Sequence, residues 1–226
     1  MPDNAPDEAL EIPVDHEHGA FRASMVGLFI IFMIIGYAVI NALLPTHGLN
    51  VVAIFLSLVI IYFVLQRVES ALKKRWPSGR VVRVDSNNVQ LLSRGTVRIT
   101  IDGQMQTNVL AWRFATNRRS RVPKGWYVVS CALEQNDIYL PVYTLMSPEH
   151  FNELDNAWLF TALPPKKKQK DSELRRGSDP RMAGEQRRLR IAEQARWMDG
   201  VEMTVSDFTS YIAQLQARFP KWMPAN

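Results

Sequence analysis

The sequence predicts an α+β protein in which an N-terminal two-helix transmembrane hairpin precedes a small antiparallel β domain and amphipathic C-terminal helices. Three observations carry that prediction. Two long apolar runs lie close together near the N-terminus, six short runs of strand-like hydrophobicity follow, and the C-terminal segment returns to a helical period. The 226 residues are 47% hydrophobic and 22% charged, which would build one or two small domains were all of the chain soluble.

Residues 1–21 read as an acidic tail, with Asp3, Asp7, Glu8, Glu11, Asp15 and Glu17 and no Lys or Arg. The tail lacks the basic region and small-residue cleavage site of a secretory signal, so it is expected to be retained. Its Asp15-His16-Glu17-His18 run is metal-capable by type. Alternate residues in a tail lack the surrounding hydrogen bonds that orient ligands, and neither a metal nor another cofactor is expected.

Residues 22–67 form the hairpin. Met25 to Leu44 (MVGLFIIFMIIGYAVINALL) carries no charge and is long enough as a helix to cross ~30 Å of hydrocarbon. Leu49 to Leu65 (LNVVAIFLSLVIIYFVL) is at the short end of that range. Pro45 and Gly48 stop one helix and turn the chain, so the spans are antiparallel and His47 sits in a solvated turn. Gly27 and Gly36 are nine apart and make no small-xxx-small seam. The link between the spans has no Lys or Arg, whereas Arg67, Lys73, Lys74 and Arg75 flank the exit of the second. The positive-inside rule then predicts a plasma (inner) membrane protein with two spans and both termini cytoplasmic. Residues 68–79 are the juxtamembrane helix and linker: Val68, Ala71 and Leu72 continue the helical spacing until Trp76-Pro77-Ser78-Gly79 ends it.

Residues 80–163 read as a β domain with a helix at its end. The predicted strands are RVVRV, NVQLL, TVRITI, TNVLAWRF, WYVVSCALE and IYLPVY. In TVRITI, Val97, Ile99 and Ile101 alternate with Arg98 and Thr100, as in a strand with one wet face. Asp102-Gly103 is a two-residue hairpin signal, and Ser86-Asn87-Asn88 and Gln135-Asn136-Asp137 are further turns. The single cysteine, Cys131, can form no internal disulfide and is expected as a packed core thiol on the face of Tyr127, Val129 and Leu133. Ser147-Pro148-Glu149 then caps a helix whose Phe151, Leu154, Trp158 and Ala162 would cover the strands.

Two membrane helices, a tryptophan strand (LAWRF), a late strand IYLPVYTL and then SPEHFNEL resemble the bacterial membrane-anchored PH-like proteins, in particular the YcxB-like group, over about residues 25–163. The resemblance implies a small antiparallel PH-like β-barrel of about seven strands capped by one helix. It also implies binding of lipids or proteins rather than catalysis. The first hairpin turn, Ser86-Asn87-Asn88, carries no basic residue, so phosphoinositide recognition is not implied.

Residues 164–181 (PPKKKQKDSELRRGSDPR) read as a basic flexible linker, and 182–226 as a helical C-terminal region. From Pro164 to Met198, eleven Lys/Arg stand against five acids, a tract suited to a membrane surface or an acidic protein. Nucleic acid is not favoured, because no aromatic is interleaved before Trp197. Arg113, Arg118, Arg119, Arg121 and Lys124 gather around one loop, with no acid between Asp102 and Glu134. They form the candidate site for anionic lipid or an acidic partner. Phe208, Tyr211, Ile212, Leu215 and Phe219 make one helical stripe after Thr204 and Asp207. It either packs on the chain's own barrel, or on the preceding helix through Ile191, Ala195 and Met198, or docks in a partner's groove.

No phosphate loop, paired cysteines or nucleophile motif occurs, and no catalytic residue is assigned. The expected function is a non-catalytic membrane-anchored cytoplasmic scaffold. It would present the PH-like domain and C-terminal helix to a protein partner, to a second copy, or to anionic lipid. The alternatives are a structural subunit of a larger integral membrane complex and a membrane-tethered nucleic-acid binder.

Overall fold

The structure, a computed structural model, describes residues 9–15, 19–45, 50–116, 122–164 and 180–223. The chain forms two units, one spanning Asp15–Ser78 and the other combining Met1–Val14 with Gly79–Asn226.

The first unit is the hairpin of α1 (Gly19–Leu43) and α2 (Val51–Arg75). Their segments Phe21–Leu43 and Val51–Leu72 are long and apolar enough to cross a membrane. Exposed side chains such as Ile34, Val39, Phe55 and Phe63 are all apolar, a surface suited to hydrocarbon. Asn50 joins the two helix ends. Its Oδ1 accepts the Ala53 N–H at 2.9 Å and caps α2, while its Nδ2 donates to the Leu44 carbonyl at 2.7 Å. Gly36 lets the helices approach, since a Cβ there would lie 3.3 Å from Ser57 Oγ. α2 ends at Arg75, with Trp76 as its C-cap before Pro77, where the sequence places the stop. Thr46, His47 and Gly48 lie outside the described residues.

The second unit contains all six expected strands: β2 (Arg80–Val84), β3 (Asn88–Ser93), β4 (Thr96–Asp102), β5 (Asn108–Ala115), β6 (Tyr127–Gln135) and β7 (Ile138–Met146). A further strand lies where the sequence suggested only an acidic tail. β1 (Leu10–Pro13) runs antiparallel to β2, with Leu10 opposite Val84 and Pro13 opposite Val81. Its alternation explains why: Ile12 and Val14 are buried, whereas Glu11 points out and pairs with Arg83. Pro13 is tolerated because β1 is an edge.

The strands fall into two sheets, ordered β1-β2-β3-β4 and β8-β5-β6-β7-β9. β8 (Thr161–Ala162) and β9 (Val201–Glu202) add two residues each, parallel to β5 and β7. Among the described residues no ladder joins β4 to β5, so the expected closed barrel is replaced by two facing layers. Asp102-Gly103 does not make the expected hairpin. The Gly103 N–H donates to the Asn87 carbonyl at 2.7 Å, and a Cβ there would fall 2.5 Å from that oxygen. Glycine is required at this close approach, where the chain leaves one sheet for the other. The two-residue hairpins are instead Arg94-Gly95 and Asn136-Asp137, each with positive φ at both positions.

Between the sheets lie Val82, Val84, Leu91, Ile101, Cys131, Leu133, Val142 and Met146. The cover comes from α5 (Val205–Arg218), capped by Thr204 Oγ1, which accepts the Asp207 N–H at 3.2 Å. Its stripe of Phe208, Tyr211, Ile212 and Leu215, with Phe219 beyond it, is buried in this same core. That corrects the partner-helix assignment of these five residues. Burying them contributes on the order of 10 kcal/mol before entropy, comparable to the net stability of a domain, so they are not free for a partner or a second copy. The helix after Ser147 is correspondingly short. α3 (Pro148–Asn152) buries Phe151 and ends before Asp155-Asn156 turns the chain, and Trp158 is 48% exposed instead of capping the sheets.

Candidate functional site

Side-chain alternation on β5 divides the second sheet between two environments. Val109 and Ala111 face the core between the sheets, whereas Leu110, Trp112 and Phe114 face outward and are covered by α4 (Pro180–Asp199). Of the alternatives for the C-terminal stripe, the one through Ile191, Ala195 and Met198 of α4 does not occur: Leu189 and Ala192 are the buried residues of this helix, while Ile191 and Met198 are exposed.

Two charged residues fix which side of α4 meets the sheet. The Trp112 indole N–H, fully buried, donates to Glu193 Oε2 at 2.9 Å. Arg196 donates to both oxygens of the same carboxylate, Nε to Oε2 and Nη2 to Oε1, each at 2.7 Å. The Arg196 guanidinium also lies 4.8 Å from the Tyr143 ring and 5.7 Å from the Phe114 ring. Every strong polar group in this cluster has a partner, so Glu193 and Arg196 can face the sheet. Nearer the start of α4, Glu134 accepts from Tyr139 Oη at 2.7 Å and from Arg188 Nη2 at 2.8 Å. Burial alone would raise the Glu134 carboxyl. The Arg188 and Tyr139 hydrogen bonds, with the Arg188 charge, outweigh it and hold the carboxyl below the usual range. Burial, with the Glu134 hydrogen bond and charge, pushes Tyr139 up to about 12.

The expected basic site is divided. Arg113 lies on the core side of β5, its guanidinium 4.8 Å from the Tyr127 ring and 4.6 Å from the Phe151 ring, so it packs on aromatics instead of joining a surface cluster. Lys124 is exposed. Arg118, Arg119 and Arg121 lie outside the described residues, and the base of their loop is closed by Thr116 N–H donating to the Trp126 carbonyl at 2.7 Å. On α2, Arg67 and Arg75 are exposed, and the side chains of Lys73 and Lys74 lie outside the described residues.

Cys131 is fully buried and its thiol is pushed up to about 12 by that burial, which leaves almost no thiolate at neutral pH. It is a packing residue, as its strand position suggested. Among the described residues no group of three metal-capable side chains converges. A groove of about 300 Å³ lies along β5, lined by Val109, Ala111, Trp158, Thr161, Glu185 and Leu189.

Taken together, these elements define an α+β domain of two sheets on a chain with a hairpin of membrane-spanning length. No protein-family model, no curated protein and no solved structure matches it.

Proposed function

We propose that this chain is a non-catalytic scaffold, anchored by its hairpin in the inner membrane, that holds its two-sheet domain at the cytoplasmic surface for a protein partner or anionic lipid. One observation carries the reading. β1 precedes the hairpin and β2 follows it, yet the two pair along their whole length. Strands cannot hydrogen-bond through a bilayer, so residues 10–13 and 80–84 share one compartment, as a chain that crosses twice requires. Arg67, Lys73, Lys74 and Arg75 at the end of α2 favour the cytoplasm as that compartment.

The strand order lends support to a PH-like domain in altered form. What supports it is two sheets of mainly antiparallel strands sharing one core, with a C-terminal helix packed into that core. The closing helix is α5, and β1, though paired in the sheet, is set apart from β2 in the sequence by the hairpin.

Reporters fused before Met1 and after Asn226 should both be cytoplasmic, while a protease site inserted at Thr46 should be cut only from outside. A C-terminal reporter active outside, or an insertion at Thr46 cut from the cytoplasm, overturns the anchored reading.

A further inference from the structure

The second sheet has an open edge at β5. β8 lies beside that strand only at Trp112 and Arg113, so among the described residues nothing pairs with residues 108–111 on this side. Two hydrogen bonds show which way the main chain turns there. The Leu163 N–H donates to the Arg113 carbonyl at 2.8 Å, on the β8 side, and the Thr116 N–H donates to the Trp126 carbonyl at 2.7 Å, on the β6 side. By the two-residue period of a strand, Val109 and Ala111 share the orientation of Arg113 and turn their backbone groups away from β6. The Val109 N–H and carbonyl and the Ala111 N–H therefore have no strand partner among the described residues.

Other edges of the domain are blunted. β1 carries Pro13, and β4 shifts register against β3 between Leu91 and Leu92, with Arg98 exposed on it. Residues 108–111 (NVLA) hold no proline and no charge, and their ladder with β6 has no bulge.

The groove of about 300 Å³ runs along this same edge. Leu110, Leu159 and Leu189 are its buried lining, Trp158 is exposed beside them, and Glu185 is the one charged residue among those that line it. Glu185 makes no ion pair among the described residues, whereas Arg188 is held by Glu134 and Arg190 by the Pro164 carbonyl. A groove this narrow does not admit a folded surface, and a purely apolar ligand would leave the three backbone groups without hydrogen bonds. An extended main chain supplies donors and acceptors at their spacing and sets alternate side chains over Leu110 and Leu189, and a cation on it complements Glu185.

We propose that residues 108–111 of β5 receive an extended segment of a partner protein as an added strand, with a Lys or Arg of that segment on Glu185. The proposal rests on the reading of this chain as a scaffold for a protein partner and gives that partner a form.

The test uses the full chain in lipid nanodiscs and a library of short synthetic peptides with Val or Ile at alternate positions, one Lys, and the other positions varied. Members should bind and slow hydrogen exchange at the Val109 and Ala111 amides. N-methylation of the peptide groups that face β5 should abolish binding. Val109→Pro should abolish it too at an unaltered melting temperature, since that N–H makes no bond to β6. Glu185→Gln should weaken binding roughly twofold to fivefold. No member bound at about 1 mM, or binding indifferent to N-methylation, overturns the proposal, and the methylated peptides decide the matter even where Val109→Pro disturbs the fold. Slow exchange at both amides without peptide also overturns it: protection that rises with protein concentration gives the edge to a second copy, and protection at every concentration gives it to the chain itself. Equal binding by Glu185→Gln overturns the assignment of the cation. The reporter fusions judge the anchor separately: a C-terminal reporter outside with peptide binding intact overturns the anchored reading alone, whereas the expected topology with no peptide bound overturns this contact alone.

Discussion

The side chain of Gln135 satisfies both backbone groups of Asp102: its Oε1 accepts the Asp102 N–H and its Nε2 donates to the Asp102 carbonyl, each at 2.9 Å. Nε2 also donates to Thr107 Oγ1 at 2.8 Å. One amide thus replaces a rung of ladder between β4 and β6, where the two sheets meet without pairing.

Replacing Gln135 with Ala should cost about 2–3 kcal/mol, because two backbone groups lose their partner in a largely buried place. Gln135→Glu should also destabilise, since a carboxylate cannot donate to the Asp102 carbonyl. Hydrogen exchange at the Asp102 amide, with thermal unfolding of the full chain, checks both. An unchanged exchange rate in Gln135→Ala would remove the clasp from the account.

Trp112 and Glu193 should behave as one unit. Trp112→Phe leaves the carboxylate with Arg196 but removes the indole donor, and Glu193→Gln keeps an acceptor but unpairs Arg196. Each is expected to cost about 1–3 kcal/mol, and the double variant less than the sum. Additive losses in a double-mutant cycle would show that the two groups do not act together.

Glu134 gives the sheet surface an acid-side pH dependence. Its carboxyl is held below the usual range in the folded chain, so its contribution is fully present above the unfolded carboxylate pKa of ~4.3 and is lost as pH falls through the lower folded value. In Glu134→Gln that part of the acid sensitivity should disappear. Identical melting-temperature profiles for the two proteins below pH 5 would contradict the assignment.

Tyr211 is fully buried, and its hydroxyl has no hydrogen-bond partner among the described residues. Tyr211→Phe removes that oxygen without changing the ring, so stability should hold or rise by up to ~1–2 kcal/mol. A clear fall in melting temperature would reveal a partner for the hydroxyl.

The six central strands were legible because each carries its own alternation or apolar run, as Val97, Ile99 and Ile101 do. The α5 stripe was equally legible as a stripe, but its target was not, since that target is assembled from both sheets. β1 was hidden by its setting. Leu10, Ile12 and Val14 alternate correctly, yet the partner strand lies beyond two membrane-length helices, and acids surround them. The face that α4 buries was not legible, because it carries Glu193 and Arg196, and only Trp112, Phe114 and Tyr143, distant in the chain, make their burial tolerable. The basic loop was legible as charge, whereas the placement of Arg113 on two aromatic rings needed the fold.

The pairing of β1 with β2 around the hairpin also sets an order of events during synthesis. β1 leaves the ribosome first and has no partner until both helices have been made and β2 emerges. Formation of the α1–α2 hairpin shortens the loop that must be closed, which lowers the entropic cost of joining the strands. Until then Ile12 and Val14 have no sheet to enter, and Val82 and Val84 lie along an open edge, the most exposed moment in the assembly of this domain.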